Sequence, residues 1–270
     1  MLARKRAGYK QGGKALVILM SIISGLIIIA VMVIVSGLWI SISGNSKMYS
    51  VKNTAVFENS PIKSMRILFL GSSVTYGSGS RGESFVDFLE KKDGVIPIKE
   101  AVPGTTLADI GKTSYIPRLK ALDASETIDA FVCQLSTNDA SKKIPLGNIS
   151  GTDNFCAGTV AGAIETIISY VRKVWNCPIV FYTGTRYNND YYNQMVALLL
   201  ELQKKWDIGV IDLWNDAGLN NVPAKKHKLY TVDGIHPTKA GYKLWWLPKI
   251  EAYLYAYLGG NRELHKKGEI

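Results

Sequence analysis

The chain has 270 residues, 47% of them hydrophobic, enough for one sizeable domain with an appendage. Its formal charge of +10 comes from 32 basic against 22 acidic residues, but residues 1–49 hold Arg4, Lys5, Arg6, Lys10, Lys14 and Lys47 and no acid. Only +4 of the +10 is left for the rest of the chain. No basic cluster interleaved with aromatics marks a nucleic-acid face, so no nucleic-acid partner is expected.

The basic excess is a topology signal. From Ala15 to Ser46 there is no charged residue, and residues 15–43 are dominated by Leu, Ile, Val, Met and Ala. A span needs roughly 20 apolar residues, so this run is long enough to cross a bilayer. The basic residues of segment 1–14 precede it and only Lys47 follows closely, which predicts a cytoplasmic N-terminus. The competing expectation is a cleavable signal peptide ending near Ser41-Ile42-Ser43-Gly44, although such apolar regions usually run about 7–15 residues. Either outcome exports the domain, to the outer face of a bacterial membrane. Residues 44–64 read as a polar juxtamembrane linker, 65–258 as the domain and 259–270 as a charged, frayed tail.

Strand and helix patterns alternate through the domain. Strands are expected over Met65–Leu70, Val95–Ile98, Ile128–Leu135, Pro178–Thr183 and Ile208–Leu213, the third being a run apolar enough for both faces to be covered. Helices are expected over Glu83–Lys92, around Pro117, over Asn154–Trp175 with Asp153 as N-cap, over Asp190–Trp206 and over Thr238–Leu258. The aromatic stripe Tyr242, Trp245, Trp246 in the last helix reads as core. This alternation implies a mainly parallel sheet between helix layers, in one domain. Cys133 reads as a core residue, and pairing of Cys156 with Cys177 stays open. No Cys/His spacing suits zinc, and no metal or cofactor is expected.

Chemistry-bearing residues fall where strands end. Ser73 follows the first strand, Gly104 the second and Asn138 the third, while Asp233 and His236 precede the last helix. In an open α/β sheet those ends gather along one edge. A serine hydroxyl becomes a nucleophile when neutral histidine takes its proton, and an aspartate three residues earlier can bind the other ring N–H. Gly104 lets a backbone N–H approach a substrate closely, and the Asn138 amide can donate to a developing oxyanion.

With Gly71-Ser72-Ser73-Val74, Gly104, Thr137-Asn138-Asp139 and Asp233-Gly234-Ile235-His236-Pro237 in this order, the chain resembles the SGNH/GDSL hydrolases over about residues 65–258. The resemblance implies a three-layer α/β/α flavodoxin-like fold and metal-independent ester hydrolysis. It implies Ser73 as nucleophile, His236 as base and then acid, Asp233 as its orienter, and Ser73, Gly104 and Asn138 as oxyanion donors. Two departures stand out: Ser72 replaces the family's Asp, and Gly104 lies in Val102-Pro103-Gly104-Thr105-Thr106 instead of an Asn-x-Gly-x-Ser pattern. An ordinary α/β-hydrolase elbow fits less well, since it needs glycine where Thr75 stands.

Tyr76 and Arg186 are further candidates for substrate contact, and Asp139 reads as structural. The expected substrate is an ester-bearing glycan of the envelope or exterior. A lipid ester, acyl transfer and non-catalytic glycan binding are the alternatives. A long apolar pocket would favour lipid and a shallow polar cleft glycan. The oligomeric state is left open.

Overall fold

In the computed structural model, which describes residues 16–32, 35 and 43–259, the apolar runs become five strands: β1 (Arg66–Gly71), β2 (Ile96–Ala101), β3 (Ala130–Gln134), β4 (Ile179–Tyr182) and β5 (Gly209–Ile211). They form one wholly parallel sheet in the order β2-β1-β3-β4-β5. This is the flavodoxin-like order, in which the chain reverses direction across the sheet between β1 and β3.

Side chains alternate across the sheet. Leu68, Leu70, Phe131, Cys133 and Phe181 enter one core, and Ile67, Phe69, Val132, Val180 and Tyr182 enter the other. Helices α1 (Phe85–Asp93), α2 (Tyr115–Lys120), α3 (Val160–Val174), α4 (Asp190–Trp206) and α5 (Leu247–Leu254) supply the covers. The first core is closed by α2, α3 and α4, the second by α1 and α5. On α3, Val160, Ile164, Ile167, Ile168 and Val171 are fully buried. Each such side chain stabilises by about 1.5–3 kcal/mol, well above the ~0.7 kcal/mol that a β-branched residue forfeits in a helix. Burial therefore decides that this β-branched segment is helical.

Three expectations are corrected. Helix α3 begins at Val160, capped by Thr159, and not at Asn154 behind Asp153. The chain before it folds back over the first turn: a Cβ on Gly162 would stand 2.1 Å from the Cys156 carbonyl oxygen. The last helix is interrupted by a π-turn over Tyr242–Trp246. Pro248, which has no N–H to donate into the ladder, stands two residues beyond it.

Residues 44–64 are not a free-standing linker. Asn45 donates to the Gly79 carbonyl (2.8 Å) and accepts from the Lys239 N–H (2.9 Å). The Val51 N–H donates to Glu83 (2.7 Å), Ser60 donates to Asp93 (2.8 Å), and Ile62 is fully buried. These anchors are isolated polar residues and one isoleucine, which leave no periodic trace in sequence.

The contacts divide the chain into residues 1–43 and 44–270. In the first unit residues 16–32 are helical, and among the described residues no helix is long and apolar enough to cross a membrane. The basic tail 1–14, residues 15, 33–34 and 36–42 of the expected anchor, and the tail from 260 lie outside the described residues. Cys133, Cys156 and Cys177 are all free.

Candidate active site

Strand β1 delivers Ser73 through a tight turn into a four-residue helix, Ser73–Tyr76. Two residues hold that turn. The Gln134 Oε1, at the end of β3, accepts from the Ser72 N–H (2.9 Å), the Thr75 hydroxyl (2.8 Å) and the Thr75 N–H (3.3 Å). Thr75 packs onto Gly71 so closely that a Cβ there would lie 1.7 Å from its Oγ1. Glycine is required at position 71 for this approach.

On the far side of the site, Thr231 and Pro237 pair in an isolated antiparallel bridge that closes the loop carrying Asp233 and His236. Gly234, at φ +86°, makes its sharp bend. Within it Asp233 Oδ1 accepts from the N–H groups of Ile235 (3.0 Å) and His236 (2.8 Å). Asp233 Oδ2 lies 2.7 Å from His236 Nδ1, and His236 Nε2 lies 2.8 Å from Ser73 Oγ. Burial by itself pushes the Asp233 carboxyl up, but the hydrogen bonds from the His236 ring and backbone outweigh it and bring it down to about 2. Asp233 therefore favours the fold above its ordinary value of 3.8, and that contribution is lost as pH falls towards 2.

Because β1 lies between β2 and β3, the loops after those two strands flank Ser73. Gly104, exposed and at φ +80°, sits in the first. Asn138 sits in the short helix Thr137–Ser141 of the second, capped by Ser136. The two loops are tied together: Asn138 Nδ2 donates to the Thr105 carbonyl (2.9 Å). Asp139, fully buried, accepts from the N–H groups of Leu107 (2.8 Å) and Ala108 (2.9 Å). Burial raises the Asp139 carboxyl, and those two N–H groups pull it back. Among the described residues the backbone N–H groups of Ser73 and Gly104 have no protein acceptor. The site can thus move a proton from Ser73 to His236 and offer N–H groups to an oxyanion.

A family model for GDSL-like lipases and acylhydrolases matches residues 69–244, from within β1 to the π-turn of the last helix. The chain belongs to the GDSL-like lipase/acylhydrolase family. As a member it is a carboxylic ester hydrolase. A possible lipase from Chitinophaga pinensis superposes with a TM-score of 0.57 at 17% identity, over 73% of this chain and 99% of that one. A family two carbohydrate esterase from Clostridium thermocellum, solved with cellohexaose, gives 0.52 at 17%, over 72% and 65%. An acetyl-xylooligosaccharide esterase from Geobacillus gives 0.53 at 14%, over 74% and 96%. At such identities the likeness is one of fold. No curated protein matches in sequence.

In this GDSL-family chain the place of the family's Asp is taken by Ser72, fully buried and turned onto Gln134. The residue that secures the nucleophile turn comes from β3, and its only sequence signal is a polar side chain ending an apolar run. Arg118 was also invisible in sequence. Its guanidinium bonds the Gly71 carbonyl (2.8 Å), the Thr105 hydroxyl (3.2 Å) and Glu100 (2.8 Å), bracing the ends of β1 and β2 and the Gly104 loop.

Of the two expected substrate contacts, Arg186 is engaged elsewhere and Tyr76 lies on the short helix that carries Ser73. Arg186 is turned to the Trp214 carbonyl (3.1 Å) and Asn215 (3.4 Å), and its N–H bonds Asn220, so it braces the loop after β5. Tyr76, 45% exposed, lies against the Lys99 ammonium (5.8 Å to the ring centre).

Proposed function

We propose that this chain is a membrane-anchored, extracytoplasmic serine esterase that removes short acyl groups, acetyl foremost, from a glycan of the envelope or exterior. The observation that carries the reading is the continuous chain from Ser73 Oγ through His236 to Asp233, at 2.8 and 2.7 Å. His236 Nε2 takes the Ser73 proton as Oγ forms a bond to the ester carbonyl carbon. Asp233 accepts the Nδ1–H, which fixes the tautomer and stabilises the imidazolium. The tetrahedral oxyanion is held by the N–H groups of Ser73 and Gly104 and by the second N–H of Asn138. The carbon–oxygen bond to the sugar then breaks, and His236 returns the proton to the leaving sugar oxygen. Water, deprotonated by His236, attacks the acyl carbon; the bond to Ser73 Oγ breaks, His236 passes the proton to Oγ, and the acid leaves.

Two observations support a short acyl group on a carbohydrate. The cleft walled by Val74, Thr137, Tyr187 and Ile235, of which Val74, Thr137 and Ile235 are next in chain to Ser73, Asn138 and His236, has a cavity volume of about 10 Å³. Ligand pockets commonly run from about 300 Å³ upwards, so a fatty chain has no room here. Two relatives in fold act on or bind oligosaccharides by their names. The anchor reading rests on the uncharged run over residues 15–43 and the basic residues before it.

The test uses the full chain in cells and in detergent micelles, with p-nitrophenyl acetate and a membrane-impermeant acetyl ester. Wild type should turn over both, intact cells should hydrolyse the impermeant ester, and Ser73→Ala should fall to background. Equal rates for wild type and Ser73→Ala would end the mechanism. Turnover of the impermeant ester only after lysis would end the location.

A further inference from the structure

The cleft walled by Val74, Thr137, Tyr187 and Ile235 adjoins Ser73, His236 and Asn138 through their chain neighbours. Val74 follows Ser73, Ile235 precedes His236 and Thr137 precedes Asn138. Two features make its lining chemically unusual. The Tyr187 hydroxyl is buried and has no hydrogen-bond partner. Gln134, 1% exposed, gives its carbonyl oxygen to the nucleophile turn, and among the described residues its amide NH₂ meets no acceptor. Buried polar groups are normally paired, and orphans of this kind mark a place where water or a ligand completes the bonding.

Tyr187 is also held firmly. Its ring packs edge-on against Trp214 (5.5 Å between centres) and tilted against Tyr192 (5.3 Å), and its Cβ lies 3.9 Å from where a side chain on Gly234 would begin. A ring wedged between two others cannot swing aside for a longer ligand.

We propose that this cleft is the acyl subsite and that Tyr187 sets its length, admitting an acetyl group and refusing longer alkyl chains. The inference rests on the serine-esterase reading of Ser73. Refusal has two causes. The aromatic ring closes the space, and an alkyl chain reaching it would cover the Tyr187 hydroxyl and the Gln134 amide without bonding either.

The experiment compares p-nitrophenyl acetate, butyrate and octanoate on the full chain in detergent. Wild type should favour acetate over butyrate by about 10-fold or more in kcat/KM, the usual weight of a methylene in a closed pocket. Tyr187→Ala should raise the butyrate-to-acetate ratio by about 10-fold, and Tyr187→Phe, which keeps the ring, by much less. The ratio is insensitive to the fraction of enzyme folded. An unchanged ratio in an active Tyr187→Ala enzyme would overturn the proposal. If Tyr187→Ala does not fold, wild-type inactivation by p-nitrophenyl methylphosphonate and butylphosphonate esters decides it. The methyl reagent should act faster by about 10-fold, and equal rates would reject the subsite. Hydrolysis that needs Ser73 but ignores chain length removes this inference alone. Hydrolysis that survives Ser73→Ala removes the esterase reading and this inference with it.

Discussion

Asn138 carries two N–H bonds on one nitrogen, and the fold uses only one of them, on the Thr105 carbonyl. That bond aims the amide and leaves the second N–H for the oxyanion of the proposed reaction. Asn138→Ala should therefore lower kcat by about 10²–10³-fold with little change in KM, since the interaction is made only in the transition state. Asn138→Asp should be no better, because an ionised carboxylate accepts and cannot donate. A kcat near wild type in the alanine variant would remove Asn138 from the oxyanion site. At this scale the Ser, His and Asp positions were legible because their spacing is local or sits at a strand end. Gln134 and Arg118 were not, because each reaches the nucleophile turn from a position 62 or 47 residues away in sequence.

The segment before β1 shows how an element can be misread from composition. Its polar residues read as linker, yet Asn45 bridges the Gly79 loop to the start of the last helix, and Ile62 fills a core position. The Gly79 contact lies next to the loop that holds His236: a Cβ on Gly79 would stand 2.9 Å from the His236 Cβ. Removing residues 1–64 should cost about 3 kcal/mol or more, from one buried isoleucine at ~1.5–3 and several hydrogen bonds at ~1 each. Removing only residues 1–43 should cost the folded domain little. Thermal melts of the two truncations check this, and equal midpoints would return the segment to the status of a linker.

Across the molecule, the N-terminal segment, α1 and α5 meet at a buried pair of acids. Asp93, fully buried, receives the hydroxyls of Ser60 and Tyr255, while Glu251, 5% exposed, faces the Lys92 ammonium at 2.6 Å. Burial pushes the Glu251 carboxyl up; Lys92 lowers it and neighbouring Asp93 raises it, leaving it at about 7. A raised acid favours its protonated form in the fold. Stability from this group is thus full below 4.5, declines as pH rises to about 7, and is flat beyond. The melting temperature should fall across that window by a few degrees, as ~1 kcal/mol moves it by about 2–4 °C in a domain of this size. Glu251→Gln should flatten the decline and match wild type at low pH. A decline that persists in the variant would assign it to another group.

The sequence alone determined the alternation of strands and helices, the doubly covered central strands and the order of the Ser, Gly, Asn and Asp–His blocks. These follow from hydrophobic period and turn chemistry, which act between near neighbours. Only the tertiary structure decided that Gln134 and Arg118 brace the nucleophile turn, that Arg186 serves a loop, that residues 44–64 belong to the domain and that Tyr187 closes the cleft. Each of these depends on which strand ends become adjacent once β1 is placed between β2 and β3, and no local pattern encodes that adjacency.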